Sequence, residues 1–392
     1  MASPIKSTHQ STQLESYGTL AAVANDILEA SPRFGLPRQT APEVDLVPAV
    51  EGTLTEFLDG QISALGGVDP ALGRFATTTR DLVLARGKRL RPTFAYWGWR
   101  GVAAPGEPVE PVLPALAALE LMHTFALVQD DVMDGSATRR GNPTAHRVFA
   151  GQHSDAGLLG DPDQFGVTSA ILVGDLCLVW ADQLLARAAL PAATLFAARA
   201  GYDRMRAEAI AGQYLDVLGE AAPGTWSLER ARLVARHKTA SYTVQRPLQF
   251  GLALAGRTEA GVAAVDEAYN RYGLAVGEAF QLRDDLLGVY GDPVVTGKPA
   301  GDDLRTGKPT ALLMLAHELA DPAQRAELAR DCAEPVARRA EVIAETGAVA
   351  RVEALIQLRV AEGIDALADA PIHDETRVAL TDLAVTATHR PT

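Results

Sequence analysis

Three carboxylates lie close together in the segment DDVMD (130–134), directly after a long apolar run. On an α-helix, positions i and i+4 share a face, so Asp130 and Asp134 would project side by side. Two carboxylates about 4 Å apart repel each other by roughly 4 kcal/mol at an effective dielectric constant near 20. A cation would offset that cost, and hard oxygen ligands suit Mg²⁺ that also binds waters and phosphates. Standing alone, the segment would fit a solvated acidic helix end equally well.

A second acidic helix end follows about 150 residues later, in EAFQLRDDLLGVYGD. Again an apolar helical segment ends in paired acids, Asp284 and Asp285, with glycines beyond. Two such helix ends facing each other would form a pocket with carboxylates on both walls. Several Mg²⁺ ions bridged to a diphosphate are the chemistry that such a pocket favours.

Basic residues cluster in the segments RGKRLRP, TRRG, HKTASYTVQRPL and GKPAGDDLRTGKPT. The chain has 36 lysines and arginines, and lysine is rare among them, so its placement is informative. Most of the lysines fall in these four segments, namely Lys88, Lys238, Lys298 and Lys308. Lysine and arginine can bind a diphosphate directly. The sequence therefore predicts one diphosphate bound through metal and a second bound by cations alone.

The elements that position these residues are predicted to be helices. Hydrophobic residues make up 47% of the chain and aromatic residues 6%, while alternating strand patterns are scarce. We expect one all-α domain over residues 49–392, in which a central helical bundle is wrapped by outer helices. Residues 1–48 are predicted to form a mobile extension. Clusters of Pro, Gly and Asp separate the helices, and the longest of them predicts a loop over residues 151–166.

Charge and cysteine usage exclude several classes of protein. The net charge of −13 argues against a nucleic-acid partner. Two cysteines cannot form a disulfide framework or a zinc site by themselves, and Cys177 is predicted to be a small core residue. The N-terminal residues have no apolar segment of the signal-peptide kind, and charges interrupt the longest apolar runs. We therefore expect no transmembrane segment and a cytoplasmic location.

Taken in order, these motifs resemble those of the trans-isoprenyl diphosphate synthases, the polyprenyl synthetase family of head-to-tail prenyltransferases. The resemblance covers about residues 55–390. It implies an all-α bundle of the isoprenoid synthase type with central helices around a deep cavity. It also implies a Mg²⁺-dependent condensation of isopentenyl diphosphate with allylic diphosphates, three Mg²⁺ ions per site, and a homodimer.

The resemblance assigns a role to each matching residue. The metal ligands should be Asp130, Asp134 and Asp284, with weaker assistance from Asp131 and Asp285. The allylic diphosphate should be contacted by Arg139, Lys238, Lys298 and Lys308. Isopentenyl diphosphate should be bound by Lys88, Arg91, His123 and Arg140. Catalytic dipoles near the reacting carbon should come from Thr239 and Gln281, and other pocket-lining residues should be Gln213 and Asp216. The sequence departs from some members of the family at Gly288, which stands where they carry a third aspartate.

The length of the product is indicated by Phe125 and Ala126. They lie about 7.5 and 6 Å below Asp130 on the same predicted helix, where bulk limits the growing chain in this family. One aromatic beside a small residue resembles geranylgeranyl (C20) enzymes, whereas two aromatics resemble farnesyl enzymes and two small residues allow longer products. A C20 product is therefore expected, with farnesyl or longer products as alternatives. Phe125 could instead be a core residue while other helices form the floor.

Two other functions remain open at this point. A class I terpene cyclase shares the all-α fold and a DDxxD motif, but its second metal site usually has an Asn/Asp–Ser/Thr–Glu pattern, and RDD stands there in this sequence. A non-catalytic subunit that modulates a partner synthase would tend to lose acidic or lysine residues, and every motif is filled here. Both alternatives are therefore weaker than the prenyltransferase.

Overall fold

A computed structural model describes residues 45–85, 87–222, 226–259, 261–292, 301–329 and 336–388. Most of these residues are helical, and the strands among them are the two-residue β1 (Thr138–Arg139) and β2 (Asn142–Pro143), paired antiparallel. The prediction of an all-α chain is confirmed. The extension expected over residues 1–48 lies almost entirely outside the described residues. Helix α1 begins at Leu46, so the predicted boundary falls inside that helix.

The first part of the described chain forms α1 (Leu46–Gly66), α2 (Pro70–Leu84), α3 (Leu90–Arg100), α4 (Leu113–Met133), α5 (Ala145–Asp155), α6 (Pro162–Leu185) and α7 (Ala192–Ala221). A continuous helical run then comprises α8 (Leu228–Ala235), a π-helix (Arg236–Gln245) and α9 (Arg246–Leu254). The remainder forms α10 (Val262–Tyr290), α11 (Asp302–Thr306), α12 (Ala311–Leu319), α13 (Pro322–Leu328), α14 (Val336–Glu345), α15 (Ala348–Ala366) and α16 (Asp374–Thr388).

The loop predicted over residues 151–166 is wrong. Helix α5 continues to Asp155, and α6 already begins at Pro162. The side chain of Asp161 accepts a hydrogen bond from the backbone nitrogen of Asp163 at 2.9 Å, which caps α6. Proline fits the first helical position because its missing N–H would have no partner there. The Asp–Pro pair that suggested a loop is therefore the start signal of a helix.

Two hydrophobic clusters form the interior. The first surrounds α4 and α6 and includes Leu116 and Trp180, and the second surrounds α10 and α15 and includes Tyr272 and Ile356. Helix α4 packs along α6, and α10 packs along α15. A cavity of about 1600 Å³ is lined by residues of both α4 and α10, with further residues from α7 and the π-helix. The predicted bundle of central helices around a deep cavity is thus confirmed.

Helix α6 has two apolar faces. One is buried and contains Val173, Cys177 and Trp180. As predicted, Cys177 is a core residue, and its burial raises the pKa of its thiol to about 12. The other face exposes Leu172 and Val179. In the described part of the chain, α6 is the one helix whose length and composition would allow it to cross a membrane. This is weak evidence for a membrane span, because a buried helix of a bundle passes the same test, and α6 packs along α4.

Helices α3 and α9 touch backbone to backbone at two glycines. A Cβ atom added to Gly98 would clash with the carbonyl oxygen of Leu248, and one added to Gly251 would clash with that of Ala95. The Cβ on Gly251 would also lie 2.7 Å from the backbone nitrogen of Trp99. Only glycine allows this close approach, which positions the start of α3 beside the cavity.

We predict that Gly251→Ala destabilises the fold by about 1–3 kcal/mol, because the added methyl group meets rigid backbone rather than a flexible side chain. The measurement is the Tm by calorimetry, which should fall by several degrees. Gly52→Ala in α1 is the matched control, since a Cβ there has no neighbour within 4 Å. Its Tm should stay level or rise, because alanine favours a helix. An equal Tm for the two variants would contradict this account of the contact.

Candidate active site

The first acidic motif lies at the C-terminal end of α4. The backbone nitrogens of Gly135 and Ser136 donate to the carbonyl oxygens of Val132 and Asp131 at 3.3 and 3.0 Å, and Gly135 has a φ of +62°. These are the two hydrogen bonds of a Schellman helix end, which glycine allows most readily. The helix therefore stops directly after Asp134. Both Asp130 and Asp134 line the cavity, as predicted.

A tight hairpin directs Arg139 back onto this helix end. Arg140 and Gly141, both with positive φ, form the two-residue turn between β1 and β2. The guanidinium of Arg139 donates to Asp131 at 2.8 Å and to Asp130 at 3.1 Å. The side chain of Asp131 is buried, so it is held by Arg139 and does not line the cavity. Its predicted assistance in metal binding, through water or indirect contacts, stays a prediction.

Asp130 is the centre of a charge network. Besides Arg139, its carboxylate accepts hydrogen bonds from Lys238 of the π-helix at 3.0 Å and from Gln213 of α7 at 3.1 Å. Burial alone would raise the pKa of Asp130, but the charges of Lys238, Lys308 and Arg139 outweigh it and lower the pKa well below its usual range. Asp130 is therefore ionised at every physiological pH.

Two lysines connect this wall to Asp216 of α7. The ammonium groups of Lys238 and Lys308 lie 2.5 and 2.9 Å from its carboxylate, and Lys308 lies 3.9 Å from Asp134. Burial would lower the pKa of Lys308, but Asp216 and the neighbouring aspartates raise it well above its usual value. Lys308 is therefore charged. Lys298, predicted for the same diphosphate, lies outside the described residues.

The second acidic motif is on α10 and forms the opposite wall. Asp284 and Gln281 line the cavity. Asp285 also lines it and accepts hydrogen bonds from Gln281 at 2.8 Å and from the backbone nitrogen of Ala311 at 3.1 Å. Its burial raises its pKa to about 7, with smaller contributions from Asp303 and Asp284. Asp285 thus fixes the start of α12, and with it the segment that carries Lys308.

The glycine that replaces a third aspartate has a structural explanation. A Cβ added to Gly288 would clash with Oδ2 of Asp303, because that side chain from α11 lies directly against the α10 backbone. Asp303 also lines the cavity. This wall therefore has an additional carboxylate that comes from a different helix, which spacing within the motif could not have indicated.

The donor set fits Mg²⁺ that shares its coordination with a substrate. In the described part of the chain, no three side chains of His, Cys, Asp or Glu converge closely enough to bind a metal by themselves. Asp130 and Asp134 lie on one wall and Asp284 on the other. Because Mg²⁺ usually binds one or two carboxylates and completes its shell with waters and phosphate oxygens, separate carboxylates on two walls suit it.

A second, basic end of the cavity is formed by α3, α4 and the hairpin. Lys88, Arg91, His123 and Arg140 all line it. A Cβ added to Gly87 would lie 2.9 Å from Nη1 of Arg140, which shows how closely the hairpin approaches the start of α3. Burial and the charges of Arg91 and Arg140 lower the pKa of His123 well below its usual value. His123 is therefore neutral, and the cations around it are of the kind that can bind an anion directly.

Arg89 lies between Lys88 and Arg91 in the sequence, but its side chain has different partners. Its guanidinium is buried and donates to Glu120 at 2.8 Å and to Glu51 at 3.1 Å. A buried pair of this kind connects the start of α3 to α4 and α1. Arg89 also lines the cavity, but its guanidinium is paired with these two carboxylates and positions the start of α3.

Tyr242 is a cavity residue that the sequence analysis did not single out. Its hydroxyl lies 2.6 Å from Nδ1 of His123, and the guanidinium of Arg91 lies over its ring at 4.0 Å. Thr239, one turn earlier on the π-helix, also lines the cavity. Tyr242 could have been identified from its spacing to Lys238, because residues i and i+4 of a helix share a face.

Part of the cavity lining is apolar. Phe125 and Ala126 of α4 line it, as predicted, together with Ile210 and Val217 of α7. Phe125 also packs against the first hydrophobic cluster. The cavity thus combines a carboxylate end, a cation end and an apolar pocket. Every described residue in the predicted sets lies on it except Asp131, and their roles in the reaction stay predictions.

Comparison with known proteins agrees with this geometry. The profile of the polyprenyl synthetase family matches residues 74–346. A geranylfarnesyl diphosphate synthase of Aeropyrum pernix is 31% identical over 308 residues, which cover 77% of this chain and 89% of the relative. A (2E,6E)-farnesyl diphosphate synthase of Mycobacterium bovis is 32% identical over 310 residues, which cover 76% of this chain and 78% of the relative.

A solved structure is similar over most of the chain. It is the geranylgeranyl pyrophosphate synthase of Corynebacterium glutamicum complexed with isoprenyl diphosphate and magnesium, with a TM-score of 0.82 and 40% identity. The similarity covers 88% of this chain and 99% of that one. The residues matched by the family profile include both acidic motifs and all the basic segments. The chain therefore belongs to the polyprenyl synthetase family of prenyltransferases.

Proposed function

We propose that this prenyltransferase condenses isopentenyl diphosphate head-to-tail with an allylic diphosphate in a Mg²⁺-dependent reaction, giving mainly geranylgeranyl diphosphate (C20). The observation that carries the proposal is the two-ended cavity. Its acidic end has carboxylates on α4 and α10, whereas its basic end has Lys88, Arg91 and Arg140. Two diphosphates, one bound with metal and one without, match these two ends.

The residues of the acidic end would hold the leaving group. Asp130, Asp134 and Asp284 would bind three Mg²⁺ ions, which supply positive charge to the departing diphosphate. Arg139, Lys238 and Lys308 would add direct hydrogen bonds as its C–O bond breaks and an allylic cation forms. Preorganised charge of this kind supplies much of an enzyme's rate enhancement. The hydroxyl of Thr239 and the amide of Gln281 would lie close to that cation.

The basic end would position the second substrate. Lys88, Arg91, His123 and Arg140 would bind the diphosphate of isopentenyl diphosphate, so that its double bond meets the allylic carbon in one orientation. The new C–C bond leaves a cation that loses a proton, and the released diphosphate is the base within reach. The carboxylates of Asp130 and Asp216 are already paired with Lys238, which makes them weaker bases.

The direct test is incubation of the purified chain with dimethylallyl and isopentenyl diphosphates and Mg²⁺. Chromatography of the dephosphorylated products should show a C20 alcohol. Activity should disappear with EDTA and return with excess Mg²⁺. No product under any of these conditions would contradict the proposal and favour a non-catalytic subunit.

We predict that Asp130→Ala lowers kcat by at least ~100-fold, because the leaving group loses a metal ligand and its surrounding cations lose their anchor. Circular dichroism should remain that of the parent. Asp382→Ala, on α16, removes an exposed carboxylate that does not line the cavity and should leave kcat unchanged. Turnover of Asp130→Ala close to that of the parent would exclude this aspartate as a metal ligand.

The C20 product is proposed from Phe125 and Ala126, which line the apolar part of the cavity. The relatives named above include farnesyl, geranylgeranyl and geranylfarnesyl enzymes, so membership of the family leaves the length open. One phenylalanine beside one alanine favours the intermediate length.

We predict that Phe125→Ala shifts the products beyond C20, because the cavity gains space where the chain would end. Product length is measured by mass spectrometry. Phe75→Ala removes a partly buried ring that packs against Phe149 and does not line the cavity, so its products should stay at C20. An unchanged distribution in Phe125→Ala would show that another residue stops the chain.

The enzyme is further proposed to be a cytoplasmic homodimer. Helices α6 and α7 expose several apolar side chains outside the cavity, among them Leu172, Val179 and Phe196. Exposed apolar patches of this kind usually mark interfaces. Asp175 and Arg204, also exposed on these helices, make no ion pair with a described residue. Their opposite charges suit a second copy of the chain better than a lipid surface.

We predict that Leu172→Glu converts the enzyme to a monomer, because a buried unpaired charge is costly at an apolar interface. Light scattering after gel filtration should show the mass fall from twice 41.5 kDa to that of one chain. Val378→Glu, an equally exposed position on α16, should remain dimeric. A monomeric parent, or a dimeric Leu172→Glu, would contradict the assignment of this face.

A further inference from the structure

Tyr242 occupies a special place between the cations of the basic end. It is 5% exposed and lies on the π-helix that also carries Lys238. Its hydroxyl contacts His123, its ring lies under Arg91, and the next residue, Thr243, accepts a hydrogen bond from Arg91 at 2.8 Å. Two of the residues that would bind the metal-free diphosphate are therefore held by this one short segment.

The direction of the hydrogen bond with His123 follows from the surroundings. A phenol has one proton to donate, and Arg91, whose guanidinium lies over the ring, can only donate. The carboxylates of Glu120 and Asp130 act on Tyr242 through their charge and make no hydrogen bond with its hydroxyl. Among the described residues, Nδ1 of His123 is the acceptor within reach of the Tyr242 hydroxyl. Burial raises the pKa of Tyr242 and lowers that of His123, so the phenol keeps its proton and the imidazole is neutral.

The consequence concerns the tautomer of His123. When Nδ1 of a neutral imidazole accepts a hydrogen bond, the ring proton is on Nε2. An Nε2–H group can donate to an anion, whereas the other tautomer would present a lone pair and repel it. The basic end of the cavity is where an anion would meet this group.

We propose that Tyr242 is a positioning residue of the metal-free diphosphate site. Its hydroxyl fixes the Nε2–H tautomer of His123, and its ring supports the guanidinium of Arg91. This inference rests on the proposed function, in which that site binds isopentenyl diphosphate. The contributions of the hydroxyl and the ring can be separated, because Tyr242→Phe keeps the ring under Arg91 and removes only the hydroxyl.

The test uses Tyr242→Phe and a spectroscopic measurement made without substrates. The full chain, labelled with ¹⁵N-histidine, has eight histidines, and the His123 signals are identified by their loss in His123→Gln. The parent should show the ¹⁵N shifts of the Nε2–H tautomer. Tyr242→Phe should shift His123 towards a mixture of the two tautomers. An unchanged His123 spectrum in Tyr242→Phe would overturn the proposal.

Binding and kinetics provide the second measurement. Tyr242→Phe should weaken inorganic diphosphate, measured without divalent metal, by about tenfold, which is the effect of losing roughly one hydrogen bond. The KM for isopentenyl diphosphate should rise similarly while that for the allylic substrate stays constant. In a His123→Gln background, the same change should cost less than about twofold, because the effect acts through the histidine. Full additivity of the two changes would contradict the mechanism.

Tyr272→Phe is the matched control. It removes a buried tyrosine hydroxyl that donates to the carbonyl oxygen of Leu380 at 2.6 Å, outside the cavity. It should leave the His123 tautomer and the diphosphate affinity unchanged. If Tyr272→Phe and Tyr242→Phe have equal effects, Tyr242 has only a packing role and the proposal is overturned. If the His123 tautomer depends on Tyr242 but the chain transfers no prenyl group, only the proposed function is disproved. Normal prenyl transfer with an unaltered tautomer in Tyr242→Phe would disprove only this inference.

Discussion

The compensation of charge around Asp130 is the constraint on which the site depends. A buried carboxylate is costly unless hydrogen bonds and cations surround it. Here the partners come from three other elements: Arg139 from the hairpin, Gln213 from α7 and Lys238 from the π-helix. Because each partner must reach the same carboxylate, the end of α4 determines where these elements lie. The carboxylates of the first acidic motif and the basic residues around them are therefore connected in one hydrogen-bonded network.

The π-helix connects the two ends of the cavity. Lys238 at its start contacts Asp130, whereas Tyr242, four residues later, contacts His123. Its other side packs into the interior through buried residues such as Ala240 and Val244. π-Helices are rare and are often found at functional sites, where the wider turn redirects side chains. In this chain the π-helix continues into regular helix on both sides, so one continuous helical run carries side chains to both ends of the cavity.

Much of the site could be predicted from sequence because its chemistry is local. The spacing of Asp130 and Asp134, the helix end at Gly135 and the rare lysines each indicate a property that a short segment expresses by itself. The all-α class follows in the same way from composition and periodicity. The family resemblance then arranged these segments around one cavity, and the structure brings all of their described members but Asp131 to it.

The features that sequence did not reveal depend on contacts between distant segments. The space at Gly288 is filled by Asp303, and Arg89 is turned away from its neighbours by Glu120 and Glu51. Tyr242 acquires its role only when α3 and α4 place Arg91 and His123 beside it. The loop expected over residues 151–166 failed for a different reason, since aspartate and proline are common both in loops and at helix starts.

The central claim is that one cavity binds two diphosphates by different means. A crystal structure with Mn²⁺, isopentenyl diphosphate and an allylic thio-analogue that cannot ionise tests it most directly. Anomalous scattering should locate the metal between Asp130, Asp134 and Asp284, in contact with the allylic diphosphate. The other diphosphate should contact Lys88, Arg91 and Arg140 without metal. Metal at the basic end, or both diphosphates on the acidic walls, would contradict the account.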